Sequence, residues 1–201
     1  MKIGLVPVSA KPYHAGHHAL VEKASTENDR VILFVSTSNR HRKDEFPIDG
    51  ADMSRIWREE LEGVMPGNVE IQYGGSPVRK VWETLGMAND SDSPDTYVVY
   101  SDPQDTAQNY PEKNLTKYCG DLRASGQCLL AAEEDPGGLT RGEGTPNVSG
   151  TKVRTMLEKG DFESFSAIMP AGVNGQNIFD ILTKKPKNER LLRTYIDTIL
   201  G

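Results

Sequence analysis

Two histidines three residues apart, His14 and His17, and a distant arginine, Arg154, are the side chains of this sequence best placed to handle phosphate. The histidines stand in Lys11-Pro12-Tyr13-His14-Ala15-Gly16-His17, after an apolar run from Ile3 to Val8 that reads as a strand. His17, Leu20, Val21 and Ala24 fall at i, i+3, i+4 and i+7, one face of a helix. A strand-to-helix junction presents backbone N–H groups and the positive end of the helix dipole to an anion. Gly16 lets a ligand approach the backbone, and two imidazoles add donors for phosphate oxygens. The same four residues on an ordinary surface turn would carry no function.

A second stretch weighs against that plain reading. Val148-Ser149-Gly150-Thr151-Lys152-Val153-Arg154 opens another helix, with Ser149 as its cap and Arg154 within about its first turn and a half. A third stretch, the polar loop 37–45, carries Arg40, His41, Arg42 and Lys43. It is either a solvated loop or a flap that brings Arg42 and Lys43 over a polyphosphate.

The elements that must position these residues alternate. Strands are expected at 2–8, 30–36, 69–73, 95–100 and 127–132. Helices are expected at 15–27, 51–63, 77–85 and from Ser149 onward, with a short one around 112–118 inside an irregular loop, 104–126. Ser76 and Pro77 read as N-cap and first helical residue. The stretch 133–147, rich in Gly, Pro and acids, reads as flexible. Helices are also expected near 161–165, 178–182 and 189–200. This alternation predicts an α/β fold: a Rossmann-like, doubly wound parallel sheet of about five strands with C-terminal helices. One domain spans 1–201, its core about 1–158 and a helical extension about 159–201. Ligands of such sheets bind at the carboxyl ends of the strands, where the strand order reverses.

Composition narrows the classes. The chain has 201 residues, 36% hydrophobic and 26% charged, with net charge −6, which argues against a general nucleic-acid surface. Its two cysteines, Cys119 and Cys128, show no metal-ligand spacing. No apolar run approaches the roughly 20 residues of a membrane span. The N-terminus lacks the regions of a signal peptide. The expectation is a cytoplasmic protein with no membrane partner and no metal held by its own side chains; homo-oligomerisation stays open.

The early His14-Ala15-Gly16-His17 and the late Ser149-Gly150-Thr151-Lys152-Val153-Arg154, in that order, resemble the paired motifs of the nucleotidylyltransferase superfamily. Lys11-Pro12-Tyr13-His14-Ala15-Gly16-His17 and the Ser-Gly-Thr form are similar to archaeal-type nicotinamide mononucleotide adenylyltransferases. The segment 160–165 followed by Pro170 is similar to cytidylyltransferase-like proteins of tailed phages, which would place the chain in a host cytoplasm. Val8-Ser9-Ala10 replaces the usual glycine-rich lead-in, and Tyr100-Ser101-Asp102-Pro103 replaces a glycine-rich strand end.

The resemblance implies attack by an acceptor phosphate on the α-phosphorus of a nucleoside triphosphate, with release of pyrophosphate. His17 would serve the α-phosphate and His14 the α/β region. Ser149, Gly150 and Thr151 would hold the β and γ oxygens, and Arg154 the departing pyrophosphate. Lys11 would hold the α-phosphate or the acceptor. Ser9, Ala10 and Gly16 would line the nucleotide. Asp102 would meet ribose, base or hydrated metal, or merely form the turn before Pro103. Mg²⁺ would bind mainly through the nucleotide phosphates. The motif forms favour ATP over CTP, and the acceptor is a phosphorylated small molecule, nicotinamide mononucleotide being one candidate. A non-catalytic nucleotide-binding module is the competing class. If Arg154 lies at an open cleft, its replacement should leave thermal stability nearly unchanged.

Overall fold

Residues 1–183 are described by the computed structural model. In chain order the sheet strands are β1 (Lys2–Val8), β2 (Arg30–Val35), β3 (Val69–Tyr73), β4 (Thr96–Val99) and β5 (Cys128–Leu130). All pairings are parallel, and the order is β3-β2-β1-β4-β5. The fold is thus α/β and Rossmann-like, with β1 in the centre where the winding reverses. The helices are α1 (Ala15–Glu27), α2 (Gly50–Ile56), α3 (Pro77–Asp90), α4 (Pro103–Asn109), α5 (Glu112–Ala124), α6 (Ala131–Glu134), α7 (Pro136–Leu139), α8 (Gly150–Lys159), α9 (Phe162–Ala167) and α10 (Gly175–Thr183). No helix among the described residues is long and apolar enough to cross a membrane. The helix expected at 189–200 lies outside the described residues.

The described chain divides into two compact units. The first holds Met1–Ser9, Gly16–Ser36 and Pro66–Asn147, hence the whole sheet. On one sheet face Ile3, Leu5, Ile32, Phe34, Tyr97 and Val99 pack with Val81, Leu85 and Ala88 of α3 and with Leu115, Cys119 and Leu122 of α5. Strands covered on both faces need continuous apolar runs, which is why Val31-Ile32-Leu33-Phe34-Val35 is buried throughout. At the other end of α1, Tyr100 Oη donates to Glu27 at 2.7 Å and accepts from Asn28 Nδ2 at 2.8 Å. Asn68 Nδ2 donates to the Ser25 and Asn28 carbonyls, satisfying acceptors that a helix end leaves over.

Pro7 lies inside a central strand, a place proline normally avoids because it has no N–H. The register explains it. β1 pairs with β2 from Ile3 to Val8, but pairing with β4 stops at Leu5. Leu5 O accepts from Tyr100 N, so the backbone groups of Leu5 and, two residues on, of Pro7 face the β4 side. There Pro7 has no ladder bond to lose.

Four sequence expectations are corrected within this unit. α3 runs to Asp90, not Leu85, because Ala88 continues the buried series Pro77, Val81, Leu85. Residues 104–126 form two helices instead of one short helix in a loop. Asp102 caps α4 by accepting from Gln104 N and Asp105 N, Pro103 follows at the first position, and Leu115, Cys119 and Leu122 give α5 a buried face. The stretch 133–147 is built, not loose: Asp135 caps α7, Leu139 is buried, and Arg141 and Thr145 form a bridge. The fifth strand is shorter than expected, since the chain turns into α6 at Ala131.

The second unit comprises Ala10–Ala15, Thr37–Met65 and the described chain from Val148 on. Tyr13 packs edge-on to Trp57 at 4.8 Å between ring centres, and Phe179 of α10 meets Phe165 at 5.3 Å and Phe162 at 5.4 Å. After α2 the helix widens into a π turn, Trp57–Leu61, and tightens into a 3₁₀ turn, Glu62–Val64, in place of the uniform helix expected at 51–63. Trp57 and Leu61 on this widened turn are both buried. Glu60 carries acceptors for Asn174 N and Asn177 Nδ2, joining this helix to the start of α10.

Candidate active site

The second unit gathers much of the predicted chemistry. Ala10, Lys11, His14, Ser149, Gly150, Thr151 and Arg154 belong to it, as do Arg42 and Lys43; Ser9, Gly16, His17 and Asp102 belong to the first unit. Ala10 adopts a left-handed backbone, φ 50°, where the chain leaves β1 for residues 11–14. His14 and Lys11 are buried, at 4% and 6% exposure. Burial pushes the Lys11 ammonium down to about 8, because an apolar setting disfavours the charged form.

Arg154 is the centre of this arrangement. It is 5% exposed, so it does not stand at an open cleft as expected. One guanidinium nitrogen, Nη1, donates to the Lys11 carbonyl at 2.9 Å, and Nη2 donates to Thr151 Oγ1 at 3.0 Å. This ties the arginine to the segment carrying His14. Gly150 makes room for it: a Cβ there would lie 3.0 Å from Nη1 and 3.4 Å from the Lys11 carbonyl. Ser149 caps α8 as expected, accepting from Lys152 N at 3.3 Å. The Ala15 N–H, first of α1, is not free for an anion, since it donates to the Ile168 carbonyl at 2.9 Å.

The loop 37–45 is not a plain mobile loop. Arg40 and Ile48 exchange both backbone hydrogen bonds, at 2.8 and 3.1 Å, making an antiparallel bridge. Phe46 and Ile48, two residues apart, are both buried, while Arg42, Lys43 and Asp44 are exposed at its tip. Gly50 closes the base, for a Cβ there would sit 1.8 Å from the Thr37 carbonyl oxygen. His41 Nε2 lies 2.8 Å from Asp49 Oδ1, and Asn39 Oδ1 accepts from Gly50 N. The turn is therefore pinned at its base and carries its cations at the tip.

Sequence reasoning missed Arg40 and Glu45 as site residues. Arg40 Nε and Nη2 donate to the two Glu45 oxygens at 2.8 and 3.0 Å. Arg154 Nε lies 3.2 Å from the same Glu45 Oε2. Burial, with Arg40 and Arg42 nearby, lowers the Arg154 pKa, and Glu45 acts in the opposite sense. The hydrogen bond from Arg40 holds the Glu45 carboxyl below the usual range. The available signal was the apolar alternation Phe46, Ile48 after the charged run, which marks a paired strand end.

In the first unit, Asp102 caps α4, so its turn-forming role is real. Its other oxygen lies 3.5 Å from Arg141 Nε. Tyr100, in place of a glycine-rich strand end, serves the end of α1 through Glu27 and Asn28.

Residues 3–50 match the family described as Citrate lyase ligase C-terminal domain. That family belongs to the nucleotidyltransferase-like, cytidylyltransferase-type superfamily. The matched segment carries β1 from Ile3 on, His14 and His17, α1, β2 and the pinned turn. No curated protein matches the chain.

Proposed function

We propose that this chain is a nucleotidylyltransferase, moving a nucleoside monophosphate from a nucleoside triphosphate to a phosphate-bearing small molecule with release of pyrophosphate. The observation that carries the reading is Arg154, a buried guanidinium fixed by Lys11 and Thr151 in the unit that also buries His14 and Lys11. Arg154 already pairs with Glu45, and a polyphosphate would supply several further negative charges to this cationic unit at once. The citrate lyase ligase match supports a nucleotidyltransferase-like domain, and the choice of ATP over CTP as donor rests on the motif forms alone.

A phosphate monoester is largely ionised near pH 7, so the acceptor needs no general base, and positioning with charge stabilisation suffices. In this chemistry Arg154 and Thr151 receive the leaving pyrophosphate. Lys11 and His14 neutralise charge on the transferring group, and His17 donates to the α-phosphate. Among the described residues no group of three or more His, Cys, Asp or Glu is placed to hold a metal ion. In this reading a Mg²⁺ ion would bind mainly through the triphosphate and its waters and would screen phosphate charge. Pyrophosphate release is measured with ATP and with CTP across phosphorylated acceptors, nicotinamide mononucleotide among them. Turnover with ATP is expected, and His17→Ala should lower kcat by roughly 10²–10³-fold with little change in nucleotide affinity, as for loss of one preorganised donor. Nucleotide binding without turnover on any acceptor would make the chain a binding module, and preferred turnover with CTP would change the donor.

A further inference from the structure

The Glu45 carboxylate accepts a fork of hydrogen bonds from Arg40 on both oxygens and pairs by charge alone with Arg154, whose buried Nε lies 3.2 Å from one oxygen without donating a hydrogen bond. Arg42 adds its field to both Glu45 and Arg154. Three cations thus bear on one singly charged carboxylate, leaving positive charge that Glu45 alone does not cancel. A doubly charged phosphate group would cancel more of it, and its tetrahedral oxygens can accept from two forks at once. Arg154 is fixed by Lys11 and Thr151, whereas the Glu45 side chain is 25% exposed and sits beside the exposed tip of the turn. The carboxylate is therefore the partner that can leave.

We propose that Arg40 and Arg154 form a subsite for one phosphate of a di- or triphosphate, and that Glu45 is an internal anion competing for it. The proposal rests on the transferase reading for its ligand, but it concerns residues which that reading does not use, Arg40 and Glu45. Binding of polyphosphate displaces Glu45 and leaves both arginines facing phosphate oxygens. Release of the product lets the carboxylate return, which opposes rebinding of pyrophosphate. Glu45 lowers ground-state affinity by the fraction of molecules in which it holds the arginines.

The test is calorimetric titration of inorganic pyrophosphate into the full chain and its variants. Glu45→Gln should bind about 5–10-fold more tightly than wild type, because the competing charge is gone. Arg40→Gln should bind about 5–10-fold more weakly. Equal or weaker binding by Glu45→Gln, or no pyrophosphate binding by any variant, overturns the proposal. If Glu45→Gln folds poorly, Glu45→Asp keeps the charge on a shorter stem and should bind more tightly than wild type, though less so. A Glu45→Asp affinity at or below wild type overturns the proposal equally. Nucleotidyl transfer is read separately. Tightening in Glu45→Gln without turnover by the wild type removes the transferase and keeps the competing anion. Turnover by the wild type without tightening in the variant does the reverse.

Discussion

Replacing Arg154 by alanine should damage both folding and chemistry, and the two effects can be sized from its contacts. The guanidinium satisfies the buried Lys11 carbonyl at 2.9 Å and Thr151 Oγ1 at 3.0 Å, and it touches Glu45 at 3.2 Å. Glu45 keeps both bonds from Arg40, so its loss is small. The carbonyl is left without this donor, which costs about 1–3 kcal/mol. For a chain of this size each kcal/mol moves the melting temperature by about 2–4 °C, so a fall of about 4–8 °C is the central expectation. Turnover should fall by roughly 10²–10³-fold through loss of a donor to the leaving group. Arg154→Lys restores a charge but not the fork, so it should recover only part of each loss. Thermal unfolding and steady-state pyrophosphate release measure the two effects side by side. An Arg154→Ala protein that melts with the wild type and turns over normally would refute both the anchoring role and the catalytic one.

Lys11 gives a pH dependence. Its folded pKa, near 8, lies below the ordinary lysine value of 10.5, so between these pH values the unfolded chain binds more protons. Its contribution to stability therefore rises as pH climbs from about 8 to above 10, the burial penalty on the charged form being lifted. Triphosphate affinity should move the other way, falling above about pH 8 as the ammonium is lost, and Lys11→Met should flatten that fall in a titration across pH. Neutralising Arg42 and Lys43 together should weaken triphosphate binding much more than monophosphate binding; equal loss for both ligands would leave the tip of the turn a solvated one. Gly50→Ala must push the Thr37 carbonyl away from a Cβ placed 1.8 Å from it, so a loss of more than about 3 kcal/mol is expected in denaturant unfolding.

The sheet was legible because buried parallel strands carry uninterrupted apolar runs, as at residues 31–35, and because turn chemistry at Ser76-Pro77 and Ser149 marks helix starts directly. Helix ends were harder. Asp90 ends α3 well past Leu85, since Ala88 extends the buried face without announcing itself as apolar. The pair α4 and α5 hid behind polar sequence, although Asp102-Pro103 is a capping signal of the same kind as Ser76-Pro77. At the site, residue types that bind phosphate stood out by motif. The Arg40–Glu45–Arg154 cluster did not, because it joins residues more than a hundred positions apart through side-chain geometry alone. For the same reason the burial of Arg154 was invisible: a guanidinium in a helix's second turn reads as surface until its partners are known.

Pro7 has a consequence for evolution of the sheet. A parallel sheet lengthens by zippering, each new residue adding a hydrogen bond to the strand beside it. On the β4 side that zipper stops at Leu5, and the next residue of β1 facing that way cannot donate. A proline here acts as a stop on the slide: no drift in the sequence of residues 100–102 can recruit Pro7 as a donor and seam β1 to β4 further toward the carboxyl end. The two central strands are thereby held to a fork at the end of the sheet where α/β proteins take their ligands. Replacing Pro7 by valine would restore a donor at that fork, and a lineage that lost the proline would be free to trade the opening for a longer, more stable strand.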